Sequence, residues 1–302
     1  MARMFDEFVA AHPGRDLDLG GLRYHYLDEG EGEPVVMLHG NPTWSFAYRK
    51  LVEALRPAYR TVVPDHIGCG RSEKPDDSRY DYTLERRVAD LEALLDHLGI
   101  DAGITLVVHD WGGMIGLTYA TRHPERIKRL VVLNTGAFHL PASKPFPWPL
   151  RACRDFPGNA WLVRGLNLFC RGTARIGCKT RPMPRDVRDA YLAPYDTWRN
   201  RIAIHRFVQD IPLKPSDRAF ATVTEVQDRL GLLAGVPMLI AWGLRDFVFD
   251  RHFLDEWVRR FPKAEVHRFP NAGHYVLEDE GERIIALVQA FLAAHPVLRE
   301  AG

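Results

Sequence analysis

Six short runs rich in Val, Ile and Leu, at 35–39, 60–65, 104–110, 129–135, 236–243 and 264–270, alternate with amphipathic stretches along this chain. Each run is compact and bounded by turn residues, which predicts strands buried on both faces. The stretches at 45–55, 84–98, 113–123, 250–261 and 280–294 carry a helical period. Parallel neighbours need a crossover, and helices between buried strands supply it. The pattern therefore predicts an α/β fold, a mostly parallel sheet with helices on both faces. An earlier pair of strands, 16–20 and 22–28, reads as a hairpin turning at Gly20 and Gly21.

The alternation breaks after Thr135. Pro141, Pro145, Pro147 and Pro149 precede helical material with no strand-like run until Val236. A helical insertion at that point reads as a cap over the carboxyl edge of the sheet, where open α/β sheets bind ligands. The expected division is core 1–138, cap 139–218 and core again 219–302, which suits a chain of 302 residues. Lys plus Arg is 40 and Asp plus Glu 39, but from Pro141 to Pro215 there are 14 basic residues against 5 acidic ones. That +9 leaves −8 on the rest, so the cap is a basic block. Such a block could attract nucleic acid, an acidic lipid surface or an acidic partner, and the near-neutral total argues only weakly against each; the expectation is peripheral membrane contact and no nucleic-acid partner.

The longest apolar stretch, 231–244, is broken by Pro237 and is shorter than the roughly 20 residues of a spanning helix. Arg3, Asp6 and Glu7 interrupt the place where a signal peptide has its apolar region. Four cysteines without C-x-x-C spacing make no disulfide framework, so a cytoplasmic location is expected.

The chemistry is concentrated where predicted strands end. Val107-Val108-His109-Asp110-Trp111-Gly112-Gly113 runs from a buried strand through a Gly-rich turn into a helix, the context of a nucleophile elbow with Asp110 at the nucleophile position. An ionised carboxylate needs no base to attack, and the helix N-terminus favours its anion. His39-Gly40-Asn41-Pro42-Thr43 follows the first core strand, where this architecture supplies an oxyanion-hole donor. The Asn41 side chain, with the Trp111 backbone or indole N–H, is the expected donor pair above Asp110. Asp246 follows the strand 236–243 and His274 follows the last strand, giving the order nucleophile, acid, histidine. Asp246 would fix the His274 tautomer and support its imidazolium.

Other chemistries find no support. Gly68-Cys69-Gly70 lacks the third glycine of a dinucleotide fingerprint, because position 73 is Glu. There is no phosphate-loop lysine and no H-E-x-x-H, and the 13 histidines show no metal-ligand spacing. No metal and no cofactor are expected. Cys69 reads as a packed small residue. The stretch from Asn159 to Arg171 interleaves aromatic, aliphatic and basic residues, which suits a substrate lining or a contact with lipid or a partner.

Together H-G-N-P-T-W (39–44), P-D-H-I-G-C-G-R-S (64–72), V-V-H-D-W-G-G (107–113) and A-G-H-Y-V-L-E-D (272–279) resemble the α/β-hydrolase superfamily in its haloalkane dehalogenase branch. The likeness runs from about Gly21 to the last helix. Further blocks, L-N-T-G-A-F-H-L-P (133–141), Y-L-A-P-Y-D-T-W-R-N-R-I (191–202), R-F-V-Q-D-I-P-L (206–213) and G-L-R-D-F-V-F-D-R-H-F-L (243–254), resemble the β-lactone decarboxylases of bacterial long-chain olefin biosynthesis. Those enzymes group with the third dehalogenase subfamily. The resemblance implies decarboxylation of a cis-3,4-dialkyl oxetan-2-one to a cis-alkene and carbon dioxide through a covalent aspartyl intermediate. It also implies partners, the β-lactone synthetase and the 2-alkyl-3-oxoalkanoate reductase of the same pathway. The family's nucleophile falls on Asp110, its histidine on His274, its acid on Asp246 and its paired donors on Asn41 and Trp111. The second dehalogenase subfamily instead takes its acid from a glutamate after the strand before the cap, where this chain has Asn134-Thr135-Gly136. Two other reactions use the same nucleophile: hydrolytic dehalogenation, and epoxide hydrolysis, which would need two cap tyrosines such as Tyr191 and Tyr195.

Overall fold

The six runs lie side by side in one sheet of the computed structural model, which describes residues 3–296. The last, 265–269, is not buried on both faces as expected but forms the sheet edge with only Phe269 buried, because it has a neighbouring strand on one side alone. The strands are β1 (Arg15–Asp18), β2 (Arg23–Glu29), β3 (Pro34–Leu38), β4 (Arg60–Pro64), β5 (Ile104–Asp110), β6 (Ile127–Thr135), β7 (Met238–Gly243) and β8 (Glu265–Phe269). Their spatial order is β1-β2-β4-β3-β5-β6-β7-β8. The hairpin β1/β2 and the pair β2/β4 are antiparallel; every other pairing is parallel. All seven residues of the central β5 are buried, the polar Thr105, His109 and Asp110 among them.

Four helices precede β6: α1 (Arg3–Ala11), α2 (Arg49–Leu55), α3 (Leu84–His97) and α4 (Trp111–Arg122). Helix α1 was not expected from the charges near the start of the chain. It is held by aromatic packing, with Phe8 meeting the rings of Trp44 and Phe46 edge-on at 5.3 and 5.2 Å. Between β6 and β7 lie α5 (Trp148–Asp155), α6 (Leu168–Ile176), α7 (Arg185–Leu192), α8 (Ile202–Gln209) and α9 (Phe220–Arg229), with no strand among them. The chain closes with α10 (Arg251–Arg260), α11 (Val276–Asp279) and α12 (Gly281–Ala294).

Contacts far apart in sequence seat the inserted helices on the core. The Tyr191 hydroxyl on α7 donates to Glu278, which also binds the Arg49 guanidinium through both oxygens at 2.5 and 2.9 Å. Tyr195 donates to the Thr43 carbonyl at 2.8 Å. Strand order reverses at β3, which pairs with β4 on one side and β5 on the other. The loops leaving β3 and β5 therefore diverge around a crevice at the carboxyl edge, and both carry candidate residues.

Candidate active site

Strand β5 ends on Asp110, whose φ of 51° and ψ of −124° place a non-glycine residue in a sparsely populated region. Such a conformation costs on the order of 1–3 kcal/mol and persists only where neighbours over-determine it. Here they do. The Thr135 hydroxyl donates to the Asp110 carbonyl oxygen. Behind the turn, α4 begins directly at Trp111 rather than at Gly113, and passes so close to β3 that a Cβ on Gly112 would overlap the Leu38 carbonyl. A Cβ on Gly40 would strike the Asp110 carboxylate itself, so only glycine lets the His39–Asn41 turn approach it.

That approach gives the carboxylate its anchor. The Asn41 backbone N–H donates to Asp110 Oδ1 at 2.6 Å, and the Trp111 backbone N–H bonds to the same group. Burial pushes the Asp110 carboxyl above its ordinary range, while His274 and the two amides pull it back. His274 Nε2 stands 3.7 Å from Asp110 Oδ2, and its Nδ1 is 2.8 Å from Asp246 Oδ2. Asp246, acceptor-only when ionised, fixes the proton on Nδ1. Burial alone would lower the imidazolium, but Asp246 and then Asp110 overcome it and raise His274 to about 9. Burial likewise acts to raise Asp246, and His274 more than offsets it, so this carboxyl lies below its ordinary range. The two carboxylates thus favour the imidazolium form of His274 between them.

Asn134, at the strand end where the sequence shows no glutamate, is a site residue without a catalytic motif of its own. With φ of 31°, its Nδ2 donates to Asp246 Oδ2 at 3.1 Å and to the Gly243 and Phe249 carbonyls, and its Oδ1 accepts from the Gly243 N–H. The Val248 N–H holds the other Asp246 oxygen at 2.7 Å. The available signal was positional: an amide side chain at the carboxyl end of a buried strand. His109 supports His274 from below, its Nε2 bonded to the His274 carbonyl at 2.8 Å and its ring neutral, since burial lowers it to about 3.

The expected donors sit at the cavity wall, with a difference in detail. The Asn41 side chain spends one Nδ2 hydrogen on the Ile204 carbonyl at 3.2 Å, and its contact with Asp110 runs through the backbone instead. The second Nδ2 hydrogen and the Trp111 indole N–H have no acceptor among the described residues. The cavity above Asp110 spans about 870 Å³ with its mouth and is lined mainly by Trp111, Phe138, Leu150, Phe169, Phe249 and other apolar side chains. Lys144 is its one basic wall residue besides His274, and it pairs with Asp250 at 2.7 Å. Tyr191 and Tyr195 are not in this wall, and their hydroxyls are engaged elsewhere, so the proton donors that epoxide opening needs are absent from it. Cys69 is fully buried, which pushes its thiol up to about 12 and makes it unreactive. Among the described residues no cluster of His, Cys, Asp or Glu is placed to hold a metal ion.

The sequence pattern of the α/β hydrolase fold matches residues 33–165. A cis-3-alkyl-4-alkyloxetan-2-one decarboxylase of Shewanella oneidensis is 56% identical over 276 residues, covering 91% of this chain and 87% of that protein. One of the same name from Xanthomonas campestris is 51% identical over 284 residues, covering 92% and 94%. Among solved structures, the haloalkane dehalogenase DatA of Agrobacterium tumefaciens superposes with a TM-score of 0.82 at 26% identity, covering 94% of this chain and 97% of that one. The chain belongs to the α/β-hydrolase family, in the branch where the cis-3-alkyl-4-alkyloxetan-2-one decarboxylases stand beside the haloalkane dehalogenases.

Proposed function

We propose that this protein decarboxylates cis-3,4-dialkyl β-lactones to cis-alkenes and carbon dioxide through an ester on Asp110. The observation that carries the reading is a buried, amide-anchored carboxylate facing an apolar cavity, in a chain 56% identical to a protein named for that lactone class. Asn41 holds Oδ1, which leaves Oδ2 as the attacking oxygen. It bonds to the ring carbon that bears oxygen, the C–O bond breaks, and its electron pair stays on the freed carboxylate. The bond from the neighbouring carbon to that carboxylate then breaks, carbon dioxide departs, and the electron pair becomes the alkene. The ester C–O bond breaks with its pair returning to Asp110. Inversion in the first step and anti elimination in the second convert a cis lactone to a cis alkene. Attack at the carbonyl would bury the departing carbon in an anhydride, from which carbon dioxide cannot leave directly.

No water and no net proton enter this cycle. His274 acts as a fixed positive charge that stabilises Asp110 whenever it carries its electron pair. In hydrolytic dehalogenation the same histidine must be neutral to activate water. The alternative reading rests on the Asn41 and Trp111 N–H groups left free at the wall, which would suit a halide. Turnover of a dialkyl β-lactone in ¹⁸O-water separates the two: alkene and carbon dioxide with Asp110 unlabelled by peptide mass spectrometry is the expected result. ¹⁸O in Asp110, with a β-hydroxy acid as product, would overturn the proposal.

Asn134 acts through Asp246. Asn134→Gly keeps the positive φ but removes a hydrogen bond to a charged group, about 1.5–3 kcal/mol, so kcat should fall roughly 10- to 100-fold. Steady-state alkene formation measures it.

We also infer that the protein works in the cytoplasm beside the β-lactone synthetase and the 2-alkyl-3-oxoalkanoate reductase, because a lactone with two long chains is poorly soluble and favours direct transfer. Among the described residues no helix is long and apolar enough to cross a membrane.

A further inference from the structure

The outer face of the inserted helices has an unusual charge and exposure pattern. From Phe156 to Arg185 there are six basic residues and no acidic one. Within this stretch Trp161 is 69% exposed, Leu166 57%, Leu168 48% and Ile176 47%. Of the eight large hydrophobic side chains exposed among the described residues, seven lie in the inserted region. Helix α6 concentrates the pattern. Leu168, Arg171, Arg175 and Ile176 fall on one helical stripe that faces outward, while Phe169 and Thr173 on the opposite side line the cavity above Asp110. One helix thus separates the active-site cavity from the exposed stripe. Next to it, Trp161 packs on Trp198 at 5.2 Å, and the Arg164 guanidinium lies over Trp198 at 4.7 Å. No carboxylate is within ion-pair distance of Arg171, Arg175 or Arg181 among the described residues.

We propose that this face docks on a bilayer surface bearing anionic lipid headgroups, with Trp161, Leu168 and Ile176 at the acyl boundary and Arg171 and Arg175 on the phosphates. The charge argues for the occupant. Cations without protein partners are interleaved with the apolar groups rather than ringing an apolar centre, which lets arginine stems lie along the acyl boundary while their heads reach phosphate. The functional sense of the docking rests on the lactone reading, since a dialkyl substrate and a hydrocarbon product both dissolve in the acyl phase on the far side of α6.

Flotation of the full-length protein with phosphatidylcholine vesicles, with and without phosphatidylglycerol, tests this. Binding is expected only with phosphatidylglycerol, and raised salt should weaken it. Each basic side chain near an anionic surface contributes roughly fivefold, so R171Q/R175Q should lower partitioning about 25-fold. L168S/I176S should weaken binding at every salt concentration. Both variants should keep wild-type melting and alkene formation from a short-chain lactone dispersed in detergent. The docking proposal is overturned if the wild-type protein ignores phosphatidylglycerol vesicles, or if folded variants bind them as tightly. Loss of co-sedimentation with the lactone-forming ligase in these variants, without any vesicle binding by the parent, would assign the face to a protein instead. The catalytically inactive Asp110→Asn protein should bind vesicles as the parent does, so failure of the lactone assay and failure of docking are read separately.

Discussion

Asp110→Asn should stop alkene formation, lowering kcat/KM by at least about 10⁴-fold, the scale on which removal of a covalent nucleophile acts. The substitution is nearly isosteric, and asparagine tolerates positive φ better than most residues, so the elbow at φ 51° is retained. It also removes a buried charge that the native fold disfavours, since burial raises the Asp110 carboxyl. Melting should therefore be unchanged or shifted upward while activity is lost. That opposition distinguishes a nucleophile from a structural aspartate, whose loss would lower both. Rapid quench of the parent protein with a dialkyl lactone, followed by peptide mass spectrometry, should place the adduct mass on the peptide containing Asp110. An Asp110→Asn protein that turns over normally would remove the basis of the mechanism.

His274→Gln should split two reactions that share one nucleophile. With a lactone, losing the imidazolium costs electrostatic stabilisation of Asp110 as it departs, roughly 10²- to 10³-fold, the size seen when a preorganised donor is removed. With 1-bromohexane no second turnover should occur at all, because the ester on Asp110 then has no base to activate water. The alkylated protein should accumulate, and whole-protein mass spectrometry detects it. The parent protein's pH profile follows from the same group. Alkene formation needs Asp110 ionised and His274 protonated, so kcat/KM should rise through a pH above the ordinary carboxylate range and fall through about 9. These are properties of the coupled pair rather than of either residue. Stability has a matching sign: His274 is raised from 6.5 in the unfolded chain to about 9. Its contribution is complete below about 6.5 and is lost as pH rises through 9, visible as a declining melting temperature over that window.

The sheet was legible because its determinants are local. Runs such as Ile104–Asp110, with an apolar stretch Leu106–Val108 at its centre, are compact and bounded by turns, and their spacing by helical stretches leaves a parallel sheet as the natural outcome. The elbow was legible for a related reason: glycines at 112 and 113 after a buried strand announce a turn too tight for side chains. Helix α1 escaped the reading because its stability comes from Trp44 and Phe46, residues more than 30 positions away.

What the chain order indicated by itself was the fold class and the placement of Asp110, Asp246 and His274 at or after the carboxyl ends of strands, the positions proposed for nucleophile, acid and histidine. Only the tertiary structure decided how those groups are charged and held. Asn134 reaches Asp246 across two strands, the Asn41 amide meets Asp110 from 69 residues away, and the two tyrosines of the epoxide reading turn from the cavity. Hydrogen bonding and desolvation depend on distances in space, which spacing along a chain does not encode; the nearness of Asp246 and Asp110, against the opposing effect of burial, is what raises His274 to about 9.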